Sequence, residues 1–369
     1  MPQTLPPPPK GLGAIRDVFK SAHDASIGKT NALALPARKN VIVCLIDGLG
    51  AQQLRERSGH AGFLSAALKP SSIITCAYPA TTSVNIGSLA TGLTPGQHGF
   101  IGHQVWDRRH DERINLLVGW NERTDPLVWQ PHSVIGESSE QQVNVIAAEE
   151  YRNTPFTTAT MRGANFIAAD DVEERIERAI EVLRGPGSVS YLYFPELDKY
   201  GHKYGWTSSG WAALLEQIDA GLARLNRALP KSGGLIVTAD HGMIETTKDR
   251  QLVLDEELDS HGLEFFGGDT RNSYLYLAEK SEAPKLVEHL REYAYAFWAV
   301  EASELIDSGW FGEIGAEAAD RMPEVVLLAR SNFTLYHSRF SKQRAFDMIS
   351  HHGSISSAEM RIPLLRFGI

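Results

Sequence analysis

An unbroken apolar run that stops on a carboxylate constrains this chain more than any other feature. Val41-Ile42-Val43-Cys44-Leu45-Ile46 ends at Asp47-Gly48. Such a run, closed by glycine, reads as a strand buried on both faces, the kind found in parallel sheets. In an open α/β sheet ligands lie beyond the carboxyl ends of the strands, so Asp47 stands where chemistry is done. Two later segments repeat the pattern: strand 189–194 leads into Asp198 and His202, and strand 234–238 into Asp240-His241. Thr81 and Thr82 follow a Tyr78-Pro79 turn, and His351-His352-Gly353 stands near the end. Acids, imidazoles and a hydroxyl delivered by separated segments suggest two metal ions with the hydroxyl between them.

The rest of the chain supports a layered α/β fold. Helices are expected over 51–68, from Thr82 through 88–90, over 170–184 and over 211–229, with further strands at 71–75, 114–119 and 143–147. Residues 170–184 place Val172, Ile176, Ile180 and Leu183 on one face, the pattern of an amphipathic helix. Strands alternating with helices predict a mostly parallel central sheet covered on both faces, a three-layer sandwich. The proline-rich start and the weak helical stretch after it, 1–36, read as an N-terminal arm. Residues 37–249 and 341–369 form the core. Between them, 250–340 reads as a small inserted lid, with strands at 273–277 and 324–328, a helix at 284–293, and strand or turn at 299–305. No internal repeat is visible.

Composition limits the function classes. A chain of 369 residues, 43% hydrophobic, supports a sizeable core. The net charge of −9 argues against a general nucleic-acid polymer as partner. No apolar run is long enough to span a membrane. The N-terminal stretch lacks an apolar signal region, and two cysteines make no disulfide framework, so a cytoplasmic, reducing location is expected. Oligomeric state is not legible.

Each candidate has a bland alternative. A strand-end aspartate such as Asp47 is more often a cap or turn former. Asp198 and His202, one helical turn apart, often make an ordinary hydrogen bond. Asp240-His241 could close a turn, and His351-His352 could lie on the surface. Together the bland readings weaken, because every piece follows an apolar run or a turn. His23, His60, His110, His132, His289 and His337 lack such context and read as structural or surface residues, with His98 and His261 intermediate. Carboxylate oxygens with imidazole nitrogens suit zinc, manganese or iron(II). A pair of ions can clamp both the attacking and leaving oxygens of an in-line phosphoryl displacement and turn a threonine hydroxyl into a nucleophile. A helix beginning after Thr82 would add its free N–H groups beside the phosphate.

With these residues in view, the chain resembles the alkaline phosphatase superfamily, in particular its nucleotide pyrophosphatase/phosphodiesterase-like (type I phosphodiesterase) branch, over roughly residues 40–360. The resemblance implies an alkaline phosphatase-like fold and two divalent ions, usually zinc. Asp198, His202 and His352 would hold one ion; Asp47, Asp240, His241 and Thr82 would hold the other. The family's Phe-Pro-Thr-x-Thr-Phe-Pro-Asn stretch corresponds to Tyr78-Pro79-Ala80-Thr81-Thr82-Ser83-Val84-Asn85, which puts the nucleophile at Thr82 rather than Thr81. Ser83 and Asn85 would lie at the substrate. So would His103, in the place of an asparagine that holds a phosphate oxygen. The tail HGSISSAEMRIPLL is similar to that of several superfamily branches.

Two departures concern the substrate. Ser83 replaces the aromatic residue that stacks on the base in nucleotide-cleaving members, and His103 replaces the asparagine. No Cys-x-Pro-x-Arg stretch of the sulfatase kind surrounds Thr82, and cofactor-independent phosphoglycerate mutases use serine with a longer insertion. The expectation is therefore a hydrolase of a small phosphodiester or phosphoanhydride acting through a phosphothreonine intermediate that water then cleaves. A phosphonate hydrolase, a phosphomonoesterase and a lipid phosphodiesterase using Trp106, Trp120, Trp129 and Trp206 are the enzymatic alternatives. A non-catalytic metal-binding protein is the remaining one.

Overall fold

Seven strands build the central sheet of the computed structural model, which describes residues 4–369. Their order is Ile73–Thr75, Arg361–Phe367, Gly233–Thr238, Asn40–Ile46, Ser188–Phe194, Gln142–Ala147 and Asn165–Ala168. Asn40–Ile46 is central and lies parallel to both neighbours, pairing Val43 with Tyr191 and Ile236. All seven of its residues are buried, as the continuous apolar run requires. Only Arg361–Phe367 runs against the others. The expected mixed α/β architecture with a mostly parallel sheet is thus found.

Helices cover both faces, and the side-chain alternation of one strand shows it. Tyr191 and Phe194 differ by an odd number of positions and so point to opposite faces. Phe19 of helix Arg16–Ser26 packs on Tyr191, with ring centroids 6.2 Å apart. The guanidinium of Arg175, in helix Val172–Arg184, sits 5.1 Å from the Phe194 ring. The three layers follow.

Several elements differ from the sequence reading. The helix expected over 51–68 is two short ones, Ala51–Glu56 and Gly62–Ala67, with Ser58–His60 as a tight turn between them. Gly59 and Gly62, poor helix formers, lie at the break. The strand expected at 114–119 is Glu112–Asn115, paired with Gln104–Asp107 as a hairpin. The stretch 299–305 splits into strand Phe297–Glu301 and helix Ala302–Asp307. Of the expected arm over 1–36, residues 1–3 lie outside the described residues. Its helix Arg16–Ser26 buries Val18, Phe19, Ala22 and Ala25 in the main core. The strand Arg361–Phe367 has no counterpart among the expected elements. It pairs through Arg361, Ile362 and Pro363 with Ile73–Thr75 and through Leu364 to Phe367 with Gly233–Thr238. Pro363, which has no N–H, therefore falls where the strand changes partner.

A second sheet of four antiparallel strands, in the order Leu263–Asp269, Asn272–Leu277, Val325–Ala329, Phe297–Glu301, lies within residues 263–329. Its two faces divide by parity. Tyr274, Tyr276, Val326 and Leu328 join the main core, while Leu275, Leu277, Val325 and Leu327 form a separate core with Leu286 and Phe297. No helix among the described residues is long and apolar enough to cross a membrane.

Where the second sheet meets the main body, Arg271 and Glu359 form a wholly buried pair. Nε and one Nη contact the two carboxylate oxygens at 2.7 and 2.9 Å, and the other Nη donates to the Phe333 carbonyl. Glu359 also accepts from the Ser354 N–H, and its own carbonyl accepts from the Gly242 N–H. The pair thus ties the second sheet to the residues that follow His241 and His352. Removing one member strands a charge in the interior, so Arg271→Met should cost about 3–5 kcal/mol in urea denaturation. Arg271→Met/Glu359→Gln should recover part of that loss. A single-variant loss under about 1 kcal/mol, the value of an exposed pair, would contradict this role.

Candidate metal and catalytic site

Asp47 leaves the central strand at its carboxyl end, and Gly48 makes the turn possible. Gly48 has φ +75°, and a Cβ there would meet the Asp198 Cα at 3.2 Å and Met243 Sδ at 3.3 Å. Its N–H donates to Asp240 Oδ1 at 3.1 Å. Parallel pairing of the three central strands brings Asp47, Asp240 and the helix Glu196–Tyr204 to one edge of the sheet. On that helix Asp198 and His202 share a face, with Oδ2 3.2 Å from Nε2.

Thr82 opens helix Thr82–Thr91, whose preceding residue Thr81 is extended. Its Oγ1 lies 3.2 Å from His241 Nε2. The same Nε2 is 3.4 Å from Asp47 Oδ1 and 3.4 Å from Asp240 Oδ2. Asp198 Oδ1 faces His352 Nε2 at 3.8 Å, and the His241 and His352 rings stack 3.7 Å apart. The structure therefore gathers Asp47, Thr82, Asp198, His202, Asp240, His241 and His352 into one cluster. Two triads have ligand atoms within 4.8 Å of one another, Asp47-Asp240-His241 and Asp198-His241-His352. His241 belongs to both, while His202 adjoins the second triad through Asp198 and lies with its ring 5.2 Å from that of His352.

Two observations fit this cluster to cations. Asp47 Oδ1, Asp198 Oδ1 and Asp240 Oδ2 are buried with no hydrogen-bond partner, an arrangement that proteins otherwise avoid. The histidines are also locked. His202, His241 and His352 each direct Nδ1 to a backbone carbonyl, of Ser350, Gly242 and Ala80, at 2.8, 3.2 and 2.9 Å. A carbonyl only accepts, so Nδ1 carries a proton in each ring, and Nε2 is the nitrogen turned to the cluster. This is the usual outer arrangement of metal-binding histidine.

Electrostatics agree. Burial, then Asp240 and Asp198, push the Asp47 carboxyl well above its ordinary value, against the hydrogen bond from the Tyr193 hydroxyl. Burial also raises Asp240. Burial works in the same direction on Asp198, but His202 and His352 outweigh it and hold that carboxyl low. Three acids crowded this way repel one another unless cations neutralise them.

His103 lines the same cleft, and burial followed by His202 brings it down to about 4, so it is neutral near pH 7. Its Nε2 contacts Asn115 Nδ2 at 2.9 Å. Asn115 Oδ1 accepts from the Leu117 and Val118 N–H groups, which fixes the amide's orientation. The His103 proton therefore sits on Nδ1.

Ser83 and Asn85, expected at the substrate, are placed otherwise. Both are fully buried. Ser83 donates to the Gly102 carbonyl at 2.8 Å, and Asn85 pins the turn at Ala77, Pro79 and Thr81. His351 is no surface residue either: it is buried between Thr270 Oγ1 and the Met348 carbonyl. His98 is a core residue bonded to Ser88. Sequence reasoning missed Tyr193, which donates to Asp47, and Asn115. It also missed Asp269, whose carboxyl burial raises to about 7 beside the cluster. Asp269 does close a short run, Phe265-Phe266-Gly267-Gly268, at the end of strand Leu263–Asp269, and that strand-end signal could have found it; Tyr193, inside its strand, and Asn115 carry none.

Two cavities meet at Thr82. The larger, about 760 Å³, is lined by Tyr151, Phe156, Met161, Phe166, Tyr191 and Tyr193 besides the site residues. The smaller, about 370 Å³, is polar and includes Gln104, Arg113, Asn115, Asp269 and Thr270.

The family described as type I phosphodiesterase / nucleotide pyrophosphatase matches residues 41–355. An uncharacterized pyrophosphatase/phosphodiesterase of Schizosaccharomyces pombe is 25% identical over 244 residues, 59% of this chain and 47% of that protein. The bis(5'-adenosyl)-triphosphatase ENPP4 of Bos taurus is 27% identical over 193 residues, 48% of this chain and 41% of that protein. The aligned part thus spans less than half the length of these curated relatives. Among solved structures, murine ectonucleotide pyrophosphatase / phosphodiesterase 5 superposes with a TM-score of 0.70 at 18% identity, covering 89% of this chain and 87% of that one. Phosphonoacetate hydrolase from Sinorhizobium meliloti, solved with phosphonoformate, gives 0.68 at 17% identity, covering 90% of each chain.

If the gathered acids and histidines bind cations, zinc at about a hundred times its dissociation constant should stabilise the chelator-treated protein by about 2.7 kcal/mol. Asp240→Asn and His352→Ala should shrink that gain and the metal content measured by elemental analysis. Equal metal content and equal stabilisation in the variants would remove these residues from the site.

Proposed function

The chain belongs to the type I phosphodiesterase / nucleotide pyrophosphatase family, and from that premise we propose that it hydrolyses a small phosphodiester or phosphoanhydride with Thr82 as nucleophile. The observation that carries this reading is the placement of Thr82. Its hydroxyl opens a buried helix and lies 3.2 Å from His241 Nε2, among carboxylate oxygens that lack partners. A threonine with only a structural duty would not need those neighbours.

Asp198, His202 and His352 would hold one divalent ion, and Asp47, Asp240 and His241 the other, with Thr82 reaching the latter. Zinc fits the donor set, with manganese or iron(II) as substitutes. Such ions would lower the pKa of the Thr82 hydroxyl and neutralise charge on the phosphate's non-bridging oxygens. Thr82 Oγ1 attacks phosphorus, the ester or anhydride oxygen leaves, and a phosphothreonine remains for water to cleave. The first N–H groups of helix Thr82–Thr91 have no intrahelical partner and meet the phosphate. Neutral His103 donates from Nδ1 to a phosphate oxygen, since Asn115 occupies its other nitrogen.

The larger cavity suits an apolar or aromatic substituent. A ring at position 83 is replaced by aromatic side chains from strand Ser188–Phe194 and from Tyr151, Phe156 and Phe166. That substitution is the observation favouring a second reading, a phosphonate hydrolase or phosphomonoesterase built on the same centre. Residues 250–340 would act as the lid over the polar cavity, to which they contribute Asp269, Thr270 and Phe340. Cys44 and Cys76 are free buried thiols, which agrees with a cytoplasmic, reducing location.

Hydrolysis of bis-p-nitrophenyl phosphate, p-nitrophenyl phosphate and a phosphonate panel by the zinc-loaded protein tests this reading. Diester cleavage should dominate, and Thr82→Ala should lower it at least about a thousandfold. His103→Ala should lower it about a hundredfold. Acid quench should trap a phosphorylated Thr82 detectable by mass spectrometry. Full turnover by Thr82→Ala would overturn the nucleophile assignment. Monoester or phosphonate preference would move the assignment to the second reading.

A further inference from the structure

Arg344 is the one lysine or arginine, among the described residues, that lines both cavities meeting at Thr82. The other cations around them are engaged or face one side only. Lys199 contacts Glu150 Oε1 at 2.8 Å, and Lys203 lies over the Tyr204 ring. Arg113 donates to the Phe340 carbonyl, and Lys342 lines only the smaller cavity. The Arg344 guanidinium makes no hydrogen bond, ion pair or ring contact among the described residues. Asp347, which also lines the larger cavity, is turned to Lys248 Nζ at 3.8 Å.

The short helix Gln343–Phe346 that carries Arg344 is anchored rather than loose. Phe346 stacks on Tyr336 with centroids 4.2 Å apart. Tyr336 Oη donates to the Ala345 carbonyl at 3.2 Å, and Gln251 Nε2 to the Phe346 carbonyl at 2.8 Å. A few residues on, the chain supplies the Ser350 carbonyl to His202 and then His352 itself. The Arg344 charge is felt at His103, where it adds to burial and His202 in disfavouring the protonated ring. An unpaired guanidinium, carried on a braced turn above a phosphate-handling centre, is a fork awaiting an anion.

We propose that Arg344 is a specificity-determining contact of this site, holding a second anionic group of the substrate, a carboxylate or a further phosphoryl group, beside the phosphorus attacked by Thr82. The inference rests on the phosphate-ester reading given above. It implies that simple esters with a single anionic centre are poor substrates compared with those bearing a second one.

Binding separates the two claims. Calorimetric titration of the zinc-loaded protein with methylphosphonate, phosphonoacetate and methylenediphosphonate compares no second anion, a carboxylate and a second phosphoryl group. Wild type should bind one or both of the doubly anionic probes at least about tenfold more tightly than methylphosphonate. Arg344→Met should abolish that preference while binding methylphosphonate as wild type does, and Arg344→Lys should restore part of it. Comparing the proteins at one zinc concentration cancels chelation by the probes. The probe that loses most affinity in Arg344→Met identifies the anion. An unchanged preference in Arg344→Met, with methylphosphonate still bound, would overturn the role of Arg344 alone. Failure of the wild type to bind any phosphonate would overturn the phosphate-site reading and this inference with it.

Discussion

The mutual repulsion of Asp47, Asp198 and Asp240 is the constraint around which the structure is arranged. Burying one carboxylate without a partner costs several kcal/mol, and here three share a pocket with an unpartnered oxygen each. Every surrounding device makes sense as a response to that crowding. Three imidazoles are held in orientation by backbone carbonyls at Nδ1. The Tyr193 hydroxyl and the Gly48 N–H each satisfy one carboxylate oxygen. The crowding leaves unfavourable energy that divalent cations would relieve.

Rigidity comes from the sheet beneath. Asp47 and Asp240 leave neighbouring strands in continuous register, and Asp198 stands in the first turn of the helix Glu196–Tyr204 that follows the third strand, so strand spacing and one helical turn set where they meet. The second sheet adds a wall and, through the Arg271–Glu359 pair, a fixed attachment. Positions that must agree to within fractions of an ångström are thus fixed by backbone pairing and buried hydrogen bonds.

The strand-end acids were legible in the sequence because an apolar run and its terminal carboxylate are adjacent in the chain. Asp198 and His202 were legible because helical spacing puts them on one face. Ser83 and Asn85 show the limit of motif position, which says nothing about where a side chain points: both turn inward to backbone carbonyls. The strand Arg361–Phe367 carries a contrary local signal: Pro363 argues against a central strand, and the partner switch at that residue accommodates it. Tyr193 acts on Asp47 from a distant segment of the chain, and no local pattern announces such a contact.

The C-terminal strand also sets an order of events. It fills the gap between Gly233–Thr238 and Ile73–Thr75, and the segment just before it delivers His352. During synthesis these residues leave the ribosome after every other part of the sheet. Until they arrive, the strand Gly233–Thr238 keeps an open edge and the acidic cluster lacks one imidazole. Closure of the sheet and delivery of His352 to the acidic cluster thus depend on one late-synthesised stretch of chain.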